Sequence, residues 1–410
     1  MSATLRAAVV LLGTAHALTS CVSNPTRGAV AVEGAATSDR SSSATVRRAR
    51  GNVDVRLTLH ENADALEIAG VNTAGARVER RGARVTLDGG AARDEIVLRA
   101  RNDAVLSLGE RCYRGELRVR ANPSGGLLVV NRVELEDYIE GVVASEVALW
   151  STPFEALRAQ AVAARSYAVC ALDQRGRTHA SPFLFDDVRD QAYRGVFRAR
   201  NAREQELVRD LRRAVESTRG VVLIDGEHVV DARFHAACGG ATCDGREVFL
   251  ESADACLASA VCAPCSGTLG GAREAGSVTP WRWSAARAAL DELALRWKLG
   301  RHIVRLDVLR SDDAGRWLEL EISGDSSSKR LRFEELRRAL GADKLPGSMI
   351  VNTWPHTGER IDNGLLFEGR GRGHGVGLCQ VGACAYAQAG WSAEQILAHY
   401  YRGATCADFR

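Results

Sequence analysis

The chain has 410 residues, 46% of them hydrophobic, and its 54 Lys and Arg nearly balance 51 Asp and Glu, leaving a formal net charge of +3. That is enough apolar material for one large domain or two ordinary ones. With no dense basic tract, the composition argues against nucleic-acid binding through bulk electrostatics.

The first residues read as a targeting segment. Arg6 gives a thin positive region, and Ala7 to Ala17 an apolar core too short to span a bilayer as a stable helix. Leu18-Thr19-Ser20-Cys21 then resembles a bacterial lipobox, in which the Cys thiol is lipidated and becomes the first residue of the mature chain. The alternative is ordinary signal cleavage nearby, with Cys21 incidental. On the lipobox reading, residues 1–21 are a leader and Cys21 anchors an exported protein to a membrane of the cell envelope or periplasm. Val22 stands where inner-membrane retention often uses Asp, which favours an outer membrane where one exists. Residues 22–50, rich in Ala, Ser, Thr, Gly and Arg, have no hydrophobic period and read as a flexible tether.

From Val53 the pattern has period two, with Val53, Val55, Leu57 and Leu59 alternating with polar neighbours. Similar short runs at Arg84–Leu87, Ile96–Arg99, Glu116–Arg120 and Leu127–Val130 predict a β-rich lobe over about 51–130. Helical spacing then takes over: Leu135, Tyr138, Ile139, Val142 and Val143 form one stripe. Pro153 opens a second helix, faced by Leu157, Ala161, Ala164 and Ala168. Strands are expected near Gly220–Ile224 and His228–His235, and a hairpin where Ile303–Val308 and Trp317–Ile322 flank Asp312-Asp313-Ala314-Gly315. Arg332–Leu340 reads as a helix stopped by Gly341. A glycine-rich loop and two helices close the chain, the last with Ser392 and Gln395 spaced as a capping box. Strands and helices intermix without regular βαβ alternation, so the expected class is α+β, with a core over about 131–410.

One carboxylate stands out. Glu146 lies eleven residues after Leu135, which at 100° per residue returns it to within about 20° of the same direction. It shares the apolar face, whereas Glu134, Glu136, Asp137 and Glu140 point elsewhere and read as solvated surface charge. A carboxyl pressed against apolar neighbours has its pKa raised, as a general acid for glycosidic cleavage requires. The competing reading ends the helix at Ser145-Glu146 and turns the carboxylate to water or to an Arg. Trp150 and Phe154 are close enough to stack on a sugar or to pack in the core.

Eleven cysteines are present, five of them at Cys238, Cys243, Cys256, Cys262 and Cys265. His235-x-x-Cys238 and Cys262-x-x-Cys265 have zinc-like spacing and predict a tetrahedral site of one histidine and three cysteines: His235, Cys238, Cys262 and Cys265. Disulfides are the alternative in an exported protein, because ten cysteines remain once Cys21 is lipidated. The alternating glycines of GRGRGHGVG (Gly369 to Gly377) tempt a phosphate-loop reading, but no Walker Lys follows and the spacing is wrong for a dinucleotide fold.

Two segments more than 200 residues apart, Val130–Ala168 and Gly369–Gly403, resemble the signature regions of the SpoIID/LytB family. This family comprises the stage II sporulation protein D and amidase-enhancer proteins of bacterial cell walls. The resemblance runs from roughly Val53 to Arg402, most of the mature chain and of an expected domain over 51–406, although only three short motifs are specific. Ser145-Glu146 matches the family's S-E motif, which implies that Glu146 is a catalytic acid. The implied activity is a lytic transglycosylase acting on peptidoglycan glycan strands stripped of stem peptides. Relatives usually continue S-E-M-P, where this chain has Val147-Ala148. The glycine-rich segment matches G-H-G-x-G-x-x-Q-x-G-A through Gly373, His374, Gly375, Gly377, Gln380, Gly382 and Ala383. The implied roles are close backbone approach to glycan at Gly373 and Gly375, with His374 and Gln380 binding sugar or orienting Glu146, or else packing the loop. DQAYRG resembles S-Q-x-Y-x-G, with Asp190 replacing Ser, and implies a site-lining Tyr193. FHAACGG resembles a family segment around which some members bind zinc. The rival implication is a non-catalytic peptidoglycan-binding module that stimulates a cell-wall amidase. A Ser or Cys hydrolase is disfavoured, because no G-x-S-x-G elbow is present.

Overall fold

Side-chain alternation builds the first part of the molecule. The computed structural model describes residues 51–70, 75–100, 104–178, 182–249, 254–266 and 280–409; the leader, Cys21 and the expected tether lie outside them. Nine short strands come first: β1 (Asn52–Leu57), β2 (Ala65–Ala69), β3 (Ala76–Arg81), β4 (Arg84–Leu87), β5 (Ile96–Arg99), β6 (Leu106–Leu108), β7 (Arg111–Tyr113), β8 (Glu116–Ala121) and β9 (Leu127–Glu134). One five-stranded sheet runs β4-β3-β2-β6-β7, and the other runs β10-β1-β9-β8-β5 once β10 (Leu184–Phe185) adds parallel to β1. Val53, Val55 and Leu57 of β1 and Leu127, Val129 and Val133 of β9 turn into one core. The polar exception on that face of β9 is Asn131, whose amide donates to the Arg114 and Glu116 carbonyls at 2.9 and 3.0 Å.

Helix α1 (Leu135–Glu146) follows β9 directly. The predicted stripe is buried: Leu135, Tyr138, Ile139, Val142 and Val143 are each at most 3% exposed, and burial of such side chains contributes roughly 1.5–3 kcal/mol apiece. Helix α2 (Phe154–Gly176), opened by Pro153 as expected, buries its small Ala159, Ala161, Ala163 and Ala164 and packs against α1 and against α3 (Ala202–Ser217). Asn201 caps α3 by accepting from Glu204 N at 2.9 Å.

The surface reading of the α1 acids needs correction. Glu136 and Glu140 are buried, because α2 and α3 both cover α1 and leave it little solvent face. Arginines on other elements supply the counter-charge: Arg165 of α2 grips Glu136 at 2.6 and 3.0 Å, while Arg114 and Arg212 reach Glu140 at 3.1 Å each.

Beyond α3, β11 (Val221–Asp225) pairs with β12 (His228–Val229), and β13 (Phe234–His235) leads into the cysteine-rich segment. A second lobe with its own core then runs through β14 (Pro280–Ala286), α4 (Arg287–Arg296), β15 (Ile303–Ser311), β16 (Trp317–Gly324), β17 (Ser328–Arg332), α5 (Phe333–Leu340), β18 (Met349–Trp354) and β19 (Gly364–Arg370). The hairpin β15–β16 turns over Asp312–Gly315 and Gly341 ends α5 at φ +107°, both as the sequence predicts. Strand β19 feeds the glycine-rich loop, which continues as β20 (Leu378–Cys379), α6 (Gln380–Gln388), α7 (Ala393–Tyr400) and β21 (Thr405–Asp408). Ser392 and Gln395 form the expected capping box on α7. β20 pairs in parallel with β13, and β21 closes on β11. The first core therefore holds residues from both ends of the described chain, and the class is α+β.

Candidate functional site

Glu146 is the last residue of α1 and is 5% exposed. Its Oε1 accepts from Ala192 N at 2.6 Å, and the Gln380 side chain is near enough to favour the ionised form. Burial dominates these donors and the nearby positive charge of Arg194, pushing the carboxyl from its ordinary 4.5 up to about 7. The partial negative charge at a helix C-terminus works in the same direction. Among the described residues, no second carboxylate contributes to the field at Glu146.

The segment that holds Glu146 is itself clamped. Asp190, fully buried, takes both Arg175 nitrogens at 2.6 and 2.7 Å, the Tyr167 hydroxyl at 2.8 Å and the Phe185 N–H at 2.7 Å. Gln191 donates to the Ala164 carbonyl at 3.0 Å. Arg194 N reaches Ser145 Oγ at 3.1 Å, so two N–H groups, at Ala192 and Arg194, stitch this segment to the end of α1. Tyr193 points the opposite way. It is 1% exposed, donates to Asn131 Oδ1 at 2.7 Å and packs on Tyr138 with ring centroids 5.0 Å apart. The implied site-lining role for Tyr193 is corrected accordingly: it anchors the segment whose backbone meets Glu146. Gly141 makes room, since a Cβ there would lie 2.6 Å from the Tyr193 ring.

Of the glycine-rich residues, Gln380 reaches the carboxyl and His374 does not. Gln380 opens α6, with Nε2 at 3.5 Å from Gln160 Oε1. His374 is buried, accepts from Val376 N through Nδ1 at 3.0 Å, and packs on Phe249 and His235. Burial drops it well below the usual imidazole range. Gly373 donates to the Pro346 carbonyl at 2.8 Å. At Gly375 (φ +82°) a Cβ would sit 2.6 Å from the Arg316 guanidinium. Arg316 in turn donates to the Cys238 and Ala241 carbonyls at 2.7 and 3.0 Å, bolting the second lobe to the cysteine segment. At Gly375 the missing side chain makes room for the Arg316 guanidinium. Trp150 is 71% exposed, so it is no core residue, whereas Phe154 carries Arg213 over its ring at 4.5 Å.

Four buried cysteines converge: Cys238, Cys262, Cys265 and Cys379, with sulfurs all within 4.8 Å of one another. No pair is at bonding distance; Cys265 and Cys379 are 3.6 Å apart. Tetrahedral zinc at about 2.3 Å from each sulfur would separate them by about 3.8 Å, so the set fits a closed four-cysteine site. Backbone N–H groups of Cys238, Gly240 and Gly382 lie 3.3–3.4 Å from these sulfurs, as thiolate ligands require. The predicted ligand set needs one correction. His235 is not in the cluster: its Nδ1 faces the Val376 carbonyl at 3.0 Å, and Cys379 takes the fourth place. Cys379 sits 114 residues beyond Cys265, beyond the reach of any local spacing rule. The one signal it offers in sequence is its position, directly before Gln380.

A model of the Stage II sporulation protein family matches residues 123–224, from β9 through α1, α2 and α3 into β11. A second model, a domain of unknown function (DUF8618), matches residues 279–377. Among curated relatives, an uncharacterised protein of Brachyspira hyodysenteriae is 27% identical, covering 69% of each chain. Stage II sporulation protein D of Bacillus amyloliquefaciens is 26% identical over 67% of this chain and 74% of its own. The amidase enhancer of Bacillus subtilis is 25% identical over 66% of this chain and 40% of its own. Over these spans the chain is similar to the SpoIID/LytB family. The stage II sporulation model covers the acid, its helix and the clamp, while the sulfur cluster and Gln380 fall outside it. Sequence reasoning missed the Ala192 N–H, since a backbone donor leaves no mark in residue identity.

Proposed function

We propose that this protein acts on the bacterial cell wall as a lytic transglycosylase, cleaving the glycan strand between MurNAc and GlcNAc. The observation that carries the reading is Glu146: one buried carboxyl, pushed up to about 7, with no partner carboxylate contributing among the described residues. Hydrolytic glycosidases pair two carboxylates; a single acid suits an intramolecular reaction. Protonated Glu146 gives its proton to the glycosidic oxygen as the bond from that oxygen to MurNAc C1 breaks. The MurNAc C6 hydroxyl oxygen then closes on C1, its proton returns to Glu146, and the product is a 1,6-anhydro sugar with no water consumed. Ala192 N–H and Gln380 hold the carboxyl in place through both transfers.

The four cysteines would hold a zinc ion. With four protein ligands it has no open position and serves structure, tying Cys379, and so the start of α6, to the cysteine segment. We further propose that Cys21 is lipidated and anchors the exported protein in the envelope, outer-membrane if there is one.

A second reading is favoured by one observation, the 5% exposure of Glu146. In it the protein binds peptidoglycan without cleaving it and stimulates an amidase; the Bacillus subtilis relative is named an amidase enhancer. Glu146→Gln separates the two: it abolishes anhydro products under the first and leaves amidase stimulation intact under the second.

A further inference from the structure

Beside the end of α1 lies a cleft of about 970 Å³, with Ala144 and Ser145 in its wall. Its lining carries four arginines, Arg111, Arg194, Arg198 and Arg200, against a single carboxylate, Glu110. For a chain with a net charge of only +3 this is a local concentration of positive charge.

The arginines are ordered, not scattered. Residues 194–200 lead from the clamp to the cap of α3, attached to β7 by the Val196 N–H to Cys112 carbonyl bond at 2.7 Å. Arg194, Arg198 and Arg200 stand towards solvent, while Tyr193 and Gly195 turn inward. The row begins two residues after Ala192, the donor to Glu146, and its first arginine is felt at that carboxyl. Among the described residues Arg194 and Arg198 have no ion pair. Arg111 reaches Asp186 at 3.3 Å, and the largely exposed Arg200 stands 3.6 Å from Glu204.

We infer that this arginine row is the specificity-determining subsite for a glycan strand bearing carboxylates, and that the groups it reads are the lactyl carboxylates of MurNAc. This rests on the glycan reading of the site. On such a strand every second sugar carries an acid attached directly to its ring, so a run of negative charge along the polymer meets the arginines that line the cleft. When a stem peptide is attached, that carboxyl becomes a neutral amide and its contact with guanidinium is lost.

The test is binding, so that it does not depend on cleavage. The full chain carrying Glu146→Gln is titrated with denuded glycan strands, with strands retaining stem peptides, and with neutral N-acetylglucosamine oligomers of equal length. Denuded strands should bind about 10-fold tighter than the neutral oligomers at low salt, a preference that fades as salt rises. Adding Arg194→Gln and Arg198→Gln should collapse the preference towards unity at unchanged melting temperature, and Arg→Lys at both positions should keep part of it. Equal binding of neutral and denuded strands, or a preference that survives the double substitution, overturns the inference. Tighter binding of peptide-bearing strands overturns the lactyl assignment in favour of stem-peptide carboxylates. Failure of the cleavage reading looks different: no anhydro product from the parent chain, with the charge preference intact.

Discussion

The backbone N–H of Ala192 stands 2.6 Å from Oε1 of Glu146, pinning the carboxyl from a segment 46 residues away in sequence. That segment is rigid because Asp190, Gln191 and Tyr193 are all anchored in the core. The clamp orients the acid, while burial sets its proton affinity.

Because the folded pKa is raised from 4.5 to about 7, the native state holds a proton that the unfolded chain releases. This contribution is fully present below pH 4.5 and is lost as pH rises through about 7, a loss of about 3 kcal/mol for a fully buried group. Glu146→Gln, which cannot ionise, should therefore gain stability over the parent at pH 8 and show little difference at pH 4. Thermal melts across that range check the sign; a variant less stable at pH 8 than at pH 4 relative to the parent contradicts it.

Gln380 acts against burial by stabilising the ionised form of Glu146. Gln380→Leu should raise the carboxyl pKa further and shift the alkaline limb of the activity profile to higher pH. A profile unmoved by the substitution would mean that Gln380 serves packing alone.

Metal analysis of the purified protein should find one zinc per chain. Cys379→Ser should lose it, and His235→Asn should retain it, reversing the ranking that the His235-x-x-Cys238 spacing suggests. Full loss of reactive thiols at Cys238, Cys262, Cys265 and Cys379 without bound metal would instead point to disulfides.

Arg165 and Glu136 form a buried pair between α2 and α1. Arg165→Met leaves that carboxylate without its guanidinium and should cost about 3–5 kcal/mol in denaturant unfolding. The double change Arg165→Met with Glu136→Leu should recover much of it, since the charge is removed together with its partner.

Much of this architecture is legible in the residues themselves. Period-two runs mark β1, β4, β5, β8 and β9, and the stripe from Leu135 to Val143 marks α1, because one-sided burial stamps its period on the chain. Glu146 is picked out by the same helical wheel. What the wheel does not show is how many faces are covered: Glu136 and Glu140 read as solvated, yet α2 and α3 bury them against arginines far away in sequence. The four-cysteine cluster escapes for the same reason, since the pairing of β13 with β20 that brings Cys379 to Cys238 is a tertiary fact. Tyr193 shows the limit of a motif, which marks a residue as needed without saying whether it faces ligand or core.

The sharpest test of the enzymatic reading is mass spectrometry of the products formed when the protein meets purified denuded glycan strands, with Glu146→Gln alongside. The expected result is fragments lighter than hydrolytic ones by one water, formed by the parent and absent from the variant. Fragments carrying added water would keep the acid and refute the intramolecular step. No cleavage by the parent, with binding retained, would contradict the enzymatic reading altogether.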